Sequence, residues 1–194
     1  MIKVVGVCGS PRLRGNSNTL LRTALQGAAG AGAVTETVNL YDMSYSGCRA
    51  CPTCMADGRC TIRDALTPLL AALKLADVWV FAAPIYYDGV SGPFKTFFDR
   101  CRCFTRYQGV LKPQLSGRRR AGMIITYADE SREDYLRTST SLLGYLSWMG
   151  DFGSVPILAG SNLGPADAAG GRADLLEAAR AMGGQLVRDL AAPA

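Results

Sequence analysis

Five short apolar runs, rich in β-branched and aromatic residues, alternate along this chain with segments whose apolar spacing follows the helical period. The runs are Ile2–Cys8, Ala33–Leu40, Asp77–Ala83, Ala121–Tyr127 and Ser154–Ala159. Between and after them, helical spacing covers Asn18 to about Ala29, Asp64 to about Leu75, Pro93 to about Phe104, Ser131–Met149, and Pro165 to about Leu190. Ser17 or Asn18 suits the N-cap of the first helix, and Pro93 suits the first turn of the third. Strict alternation of this kind implies a parallel sheet covered by helices on both faces, a three-layer αβα sandwich. With a polar loop directly after strand one, the expected order of the five strands is 2-1-3-4-5, with Ala33–Leu40 at an edge. Ligands then lie beyond the carboxyl ends of the strands, between strands one and three. The distinctive loops follow strands one to four, so all of them open onto that rim. The expectation is one domain over residues 1–194, with a cysteine-rich insertion at about 41–63.

The chain of 194 residues has seven cysteines and no histidine. A chain this long buries roughly 70% of its unfolded surface and needs no covalent staples. Without histidine there is no Ser-His-Asp or Cys-His nucleophile, no HExxH metal site and no imidazole proton shuttle. The chemistry is left to a cofactor, to thiolates, or to carboxylate and backbone groups. A net charge of +5 without a long basic block suits a phosphorylated small molecule better than a nucleic acid. MIKVVGVCGSPR carries no charged stretch ahead of an apolar one, and no run reaches the length of a membrane span. With an odd cysteine total, the expectation is a reducing cytoplasm and no disulfide framework.

The loop Gly9–Thr19 (GSPRLRGNSNT) lacks both the Walker A spacing and G-x-G-x-x-G. It leads polar residues into a helix N-terminus, where backbone N–H groups and the helix dipole favour a phosphate. An ordinary polar turn has the same appearance. The combination of GSPR, GNS with Leu20, and the later PIYYDGVSGPFKTFFDR resembles the NADPH-dependent FMN reductase family, from residue 2 to about residue 104. That resemblance implies a flavodoxin-like fold and an FMN cofactor. It implies that Ser10, Arg12, Asn16 and Ser17 hold the FMN phosphate, with Asn18 and Thr19 as helpers. NAD(P)H is the electron donor it suggests.

After strand three, Pro84, Ile85, Tyr86, Tyr87, Asp88 and Gly89 offer an apolar and aromatic wall with backbone donors for a flat ring, and Gly89 allows close backbone approach. A tyrosine pair that merely packs the loop is the alternative; beside the phosphate loop and the resemblance, flavin contact is favoured. The loop Thr126–Ser131 (TYADES) is expected to close over the ring edge, with Thr126 in contact. It departs from the glycine-rich stretch of the family. Asp99 and Arg100 read as a local ion pair or a helix-end contact, and Arg118–Arg120 as a solvated approach to strand four. Trp148 and Met149 read as core or subunit interface. The apolar stripe of the last helix (Leu175, Leu176, Ala179, Met182, Leu186, Leu190) needs only sheet packing.

Cys48, Cys51, Cys54 and Cys60 form C-x2-C-x2-C-x5-C. Tight spacings of four thiolates of this kind hold iron–sulfur clusters, whereas structural zinc more often uses two separated knuckles. A thiol redox loop and an inert remnant are further alternatives. The motif resembles the iron–sulfur flavoprotein branch of the same family, which implies a 4Fe-4S cluster on these four cysteines near the flavin and a subunit interface. Cys8, Cys101 and Cys103 read as structural thiols. The resulting expectation is a flavin oxidoreductase serving a small electron acceptor or a redox protein, as a homodimer or homotetramer. A cluster-free FMN or quinone reductase, a pure electron carrier and a zinc module are the competing readings.

Overall fold

The structure is a computed structural model that describes residues 1–130 and 133–192. The strands β1 (Lys3–Cys8), β2 (Val34–Asn39), β3 (Val78–Tyr86), β7 (Arg120–Thr126) and β8 (Ile157–Gly160) form a parallel sheet in the order β2-β1-β3-β7-β8. This is the expected 2-1-3-4-5 order and a flavodoxin-like α/β fold. Register is set along the central pairs, Val4 with Val78 and Cys8 with Ala82, then Val78 with Arg120 and Pro84 with Thr126.

Alternate residues of each strand feed two cores. Val5, Val7, Trp79, Phe81, Met123 and Ile125 face one way, together with buried residues of α3 (Leu66–Leu75), α4 (Gly92–Arg100) and α5 (Glu133–Gly144). Trp79 anchors that side: its indole N–H donates to the Leu73 carbonyl at 2.9 Å, and its ring lies 4.7 Å from that of Phe152. Val4, Cys8, Val78, Val80 and Ile124 face the other way, toward α1 (Asn16–Gly30) and α6 (Ala173–Ala191). Both faces are therefore covered, as the fully apolar central strands require.

Several local readings are corrected. Pro84 does not end β3, which runs on to Tyr86. In a parallel strand a residue's N and O point to the same side, and the Pro84 carbonyl accepts from Ser91 N, where β1 has already ended. The missing N–H thus costs no ladder bond. The hairpin of β5 (Thr105–Tyr107) and β6 (Leu111–Pro113), turned by Gly109 at φ 78°, was not expected. Gly15, not Ser17 or Asn18, is the N-cap of α1. The last strand begins at Ile157 and α6 only at Ala173, preceded by a 3-10 turn. The expected helix start at Ser131 lies outside the described residues.

Arg118–Arg120 is not a solvated run. Arg119 is 9% exposed and donates to the carbonyls of Ala76 and Lys74, where it closes the end of α3. Arg118 reaches the carbonyls of Ala192 and Asp189 at the end of α6. These are helix C-termini, where cations are favoured, at the end of the sheet opposite the rim.

The α6 stripe packs on α1 as well as on the sheet. A methyl group on Gly183 would collide with the backbone carbonyl of Ala24, and one on Gly27 with that of Arg180. Gly183→Ala is expected to destabilise the chain by about 1–3 kcal/mol or more, seen as a fall of several degrees in the thermal midpoint. Gly30→Ala, in open space at the end of α1, is the control.

Candidate functional site

Where β1 ends, Gly9 N bonds the Ala82 carbonyl and the Ser91 hydroxyl donates to the Gly9 carbonyl at 2.7 Å. The loop after β1 is thereby fixed to the loop after β3. Neither glycine of this turn tolerates a side chain: a Cβ on Gly9 would stand 2.5 Å from Phe94 Cβ, and one on Gly15 2.8 Å from Arg12 Cβ. Helix α1 then starts without any side-chain cap and without an acidic residue in its first turn. The backbone N–H groups of Asn16, Ser17 and Asn18 have no partner among the described residues. All three residues are buried. Buried amides left open at a helix N-terminus call for an anion.

The side chains of this turn are shared between structure and site. Ser10 Oγ accepts from Arg12 N, and Asn18 Nδ2 donates to the Arg12 carbonyl at 3.1 Å. The Arg12 side chain itself is exposed. The Asn16 carboxamide is fully committed: it donates to the carbonyls of Leu163 and Pro165 and accepts from Ala169 N. Only its backbone N–H remains for a ligand. Ser17 Oγ lies 2.7 Å from Thr126 Oγ1, which ties the turn to the end of β7. Thr19 N closes the first helical bond on Gly15.

The loop after β3 is a tight hairpin. Tyr86 pairs with Gly89 and Ile85 with Val90 of β4 (Gly89–Val90). Tyr87 and Asp88 form the two-residue turn at φ 48° and 62°, the positive values of a type I′ turn. Tyrosine at positive φ is strained, and such strain gathers at functional sites. Pro84 and Ile85 are buried in the strand, whereas Tyr86 is half exposed and Tyr87 wholly so. Of the six residues expected in the ring wall, Tyr86, Tyr87, Asp88 and Gly89 therefore form its accessible part. Across the rim, Tyr127 is buried against Tyr135, ring centroids 4.8 Å apart, and its hydroxyl has no hydrogen-bond partner among the described residues.

The cysteine segment is held by one buried ion pair that sequence reading assigned differently. Asp99 pairs with Lys95, on the surface, at 2.7 Å. Arg100, 1% exposed, instead reaches Asp64 with two bonds, at 2.8 and 3.2 Å. It also donates to the carbonyls of Ser46 (2.7 Å) and Ile62 (3.2 Å), on either side of the four cysteines. The signal was present in the sequence, because Arg100 lies three residues after Phe97 on the apolar face of α4. Burial pushes the Asp64 carboxyl up, but the Arg100 hydrogen bond and the amides of Ser46 and Leu66 outweigh it and hold it below the ordinary carboxylate value. Tyr45 adds a second tie, donating to the Pro93 carbonyl at 2.8 Å, and burial raises its hydroxyl to about 12.

Within the segment, Cys54 opens a one-turn helix, α2 (Cys54–Asp57), that Gly58 ends at φ 73°. Gln114, from the end of the unexpected hairpin, donates to the Cys54 carbonyl. Burial raises the Cys54 thiol, and the neighbouring charges of Cys60, Cys48 and Cys51 raise it further. The Thr61 hydroxyl, 3.4 Å from Cys51 Sγ, lowers the Cys51 thiol. Cys8, Cys101 and Cys103 are buried, as expected, and burial raises all three, Cys103 to about 12. Cys48 is exposed at the edge of a cavity of about 660 Å³ that it shares with Lys95, Arg102, Tyr145 and Trp148. Met149 is core, whereas Trp148 is half exposed.

Residues 2–159 match the NADPH-dependent FMN reductase family. The chain belongs to that family. Among the relatives it is similar to are iron–sulfur flavoproteins. One from Methanocaldococcus jannaschii is 39% identical over 101 residues, 52% of each chain. One from Archaeoglobus fulgidus is 34% identical over 127 residues, 66% of this chain and 55% of the other. The chain spans about half the length of the curated relatives it matches. An NAD(P)H:quinone oxidoreductase from Methanothermobacter marburgensis has the same fold, with a TM-score of 0.75 at 17% identity over 95% of this chain and 98% of that one.

The open amides of α1 fit the phosphate of an FMN, and the four thiols of Cys48, Cys51, Cys54 and Cys60 fit the donor set of an iron–sulfur cluster. Among the described residues, no three of the four cysteines stand close enough to ligate one ion, so the segment must draw in around any cluster it holds. In the reduced, metal-free chain, Thr61→Val is expected to raise the Cys51 thiol toward its ordinary value. Iodoacetamide should then modify Cys51 severalfold more slowly at pH 7. The difference should vanish well above the ordinary thiol value, where both forms are thiolate. Mass-spectrometric peptide mapping reads this out.

Proposed function

We propose that the chain is an FMN-dependent oxidoreductase of the iron–sulfur flavoprotein type. It takes electrons from NAD(P)H or a reduced protein and passes them through FMN and a 4Fe-4S cluster to a small acceptor or a redox protein. The observation that carries the reading is the uncapped, buried N-terminus of α1. When bound, FMN supplies both hydride acceptance and one-electron steps.

The chain's own part is binding and orientation. Ser10, Arg12, Ser17, Asn18 and Thr19, with the backbone N–H of Asn16, hold the phosphate. Tyr86, Tyr87, Asp88 and Gly89 present the ring wall over a floor set by Pro84 and Ile85, and Thr126 closes the rim. Cys48, Cys51, Cys54 and Cys60 hold the cluster. The whole chain acts as one FMN-binding domain with the cysteine segment inserted after β2. The unpaired thiols suit work in a reducing cytoplasm, and among the described residues no helix is long and apolar enough to cross a membrane. The half-exposed Tyr145 and Trp148 beside Cys48 suit contact between copies in a homodimer or homotetramer.

A second reading, an NAD(P)H-dependent FMN or quinone reductase without a cluster, is favoured by the open arrangement of the cysteines. Both readings predict that FMN fluorescence is quenched on binding. Both also predict that Gly15→Val weakens FMN by about tenfold or more, roughly 1.4 kcal/mol, because the side chain has no room in the turn. They further predict steady-state NAD(P)H oxidation with an added quinone. A chain that leaves FMN fluorescence unchanged would overturn both, and FMN binding without turnover would reduce the chain to an electron carrier.

A further inference from the structure

Arginine carries five N–H donors in a rigid fork. In Arg100 four of them are assigned: one terminal nitrogen serves Ser46 O and Asp64, the other Ile62 O and Asp64. The fifth, on Nε, is buried and has no hydrogen-bond partner among the described residues. The side chain is buried from bulk solvent. An orphaned donor on a buried cation is costly to leave open and points to an acceptor brought in from outside the fold. Cys60 lies beside the guanidinium, and both its charge and its thiol act on Arg100; the buried Cys101 and Cys103 feel the Arg100 charge as well.

Asp64 is only 13% exposed and answers the charge of Arg100. The two side chains close a loop whose ends, Ser46 and Ile62, are joined through a single guanidinium. Nothing in that closure requires a metal. This differs from small metal modules in which the metal itself folds the ligand loop.

We propose that Arg100 is the positioning residue of the cysteine segment. Its four paired donors preform the loop before any cluster arrives, and its fifth donor is kept for the sulfur of Cys60 in the loaded protein. This rests on the cluster reading above. A hydrogen bond and a buried positive charge at a ligand sulfur both stabilise the reduced, more negative cluster and so raise its potential.

The test uses Arg100→Lys, which keeps the charge and loses the fork, and Arg100→Met, which loses both. Asp64→Asn serves as a second way of opening the clasp should either arginine variant fail to fold. Quenching of added FMN checks that each variant keeps its fold. In the metal-free chain, trypsin cleavage at Arg49 and Arg59 is expected to be about tenfold faster in all three variants than in the parent. In the iron-loaded protein, spectroelectrochemical titration should give a lower midpoint potential for Arg100→Lys and a still lower one for Arg100→Met.

Unchanged cleavage would overturn the clasp. Loaded arginine variants with the parent's potential would overturn the role of the fifth donor. A parent chain that binds FMN but takes up no iron would refute the cluster, and with it that donor's role, while the cleavage rates still decide the clasp.

Discussion

The five strands β2-β1-β3-β7-β8 all run the same way, and the consequences of that constraint reach every part of the molecule. Parallel strands deliver their carboxyl ends to one rim. The turn before α1, the strained hairpin of Tyr87 and Asp88, the end of β7 and the cysteine segment after β2 therefore meet there. The ladder also decides where β1 stops. Past Cys8 and Ala82, the short β4 and Ser91 take over that side of β3, and the Ser91 hydroxyl caps Gly9 O. Helix α1 is left to begin with three open amides beside a turn too tight for any side chain at Gly15.

The strand order and both cores were legible in the sequence, because five apolar runs separated by helical spacing admit few other arrangements. The polar turn was legible too, but the division of labour inside it was not. Asn16 looks like a ligand from its place in GNS, yet its carboxamide is spent on Leu163, Pro165 and Ala169, contacts about 150 residues away. Arg100 was misassigned for the same reason: adjacency to Asp99 suggested a local pair, whereas the partner is 36 residues distant. The hairpin of β5 and β6 went unseen because neither strand exceeds three residues and neither is an apolar run. Pairings of this kind are decided by tertiary neighbours, and no local period announces them.

A chain without histidine cannot move protons with an imidazole, and Asp64, the largely buried carboxylate of the cysteine segment, is already spent on Arg100. What it offers is an anion seat, an aromatic wall and a thiol-rich segment clamped at both ends. Those parts suit chemistry carried by a bound flavin, with electrons leaving one at a time through the cysteines. The clamp explains how a stretch so poor in regular structure keeps its two ends together on either side of the four cysteines. Arg100 and Asp64 supply the order that backbone hydrogen bonds do not.

The central claim is that flavin and iron occupy one rim of the same chain. Anaerobic purification, followed by the absorption spectrum with FMN and iron assayed per chain, tests it most directly. The account predicts one FMN per chain, flavin bands superimposed on a broad iron–sulfur absorbance, and four irons per chain. Flavin bands with no iron would contradict the cluster half of the claim, and a colourless chain that takes up no added FMN would contradict all of it.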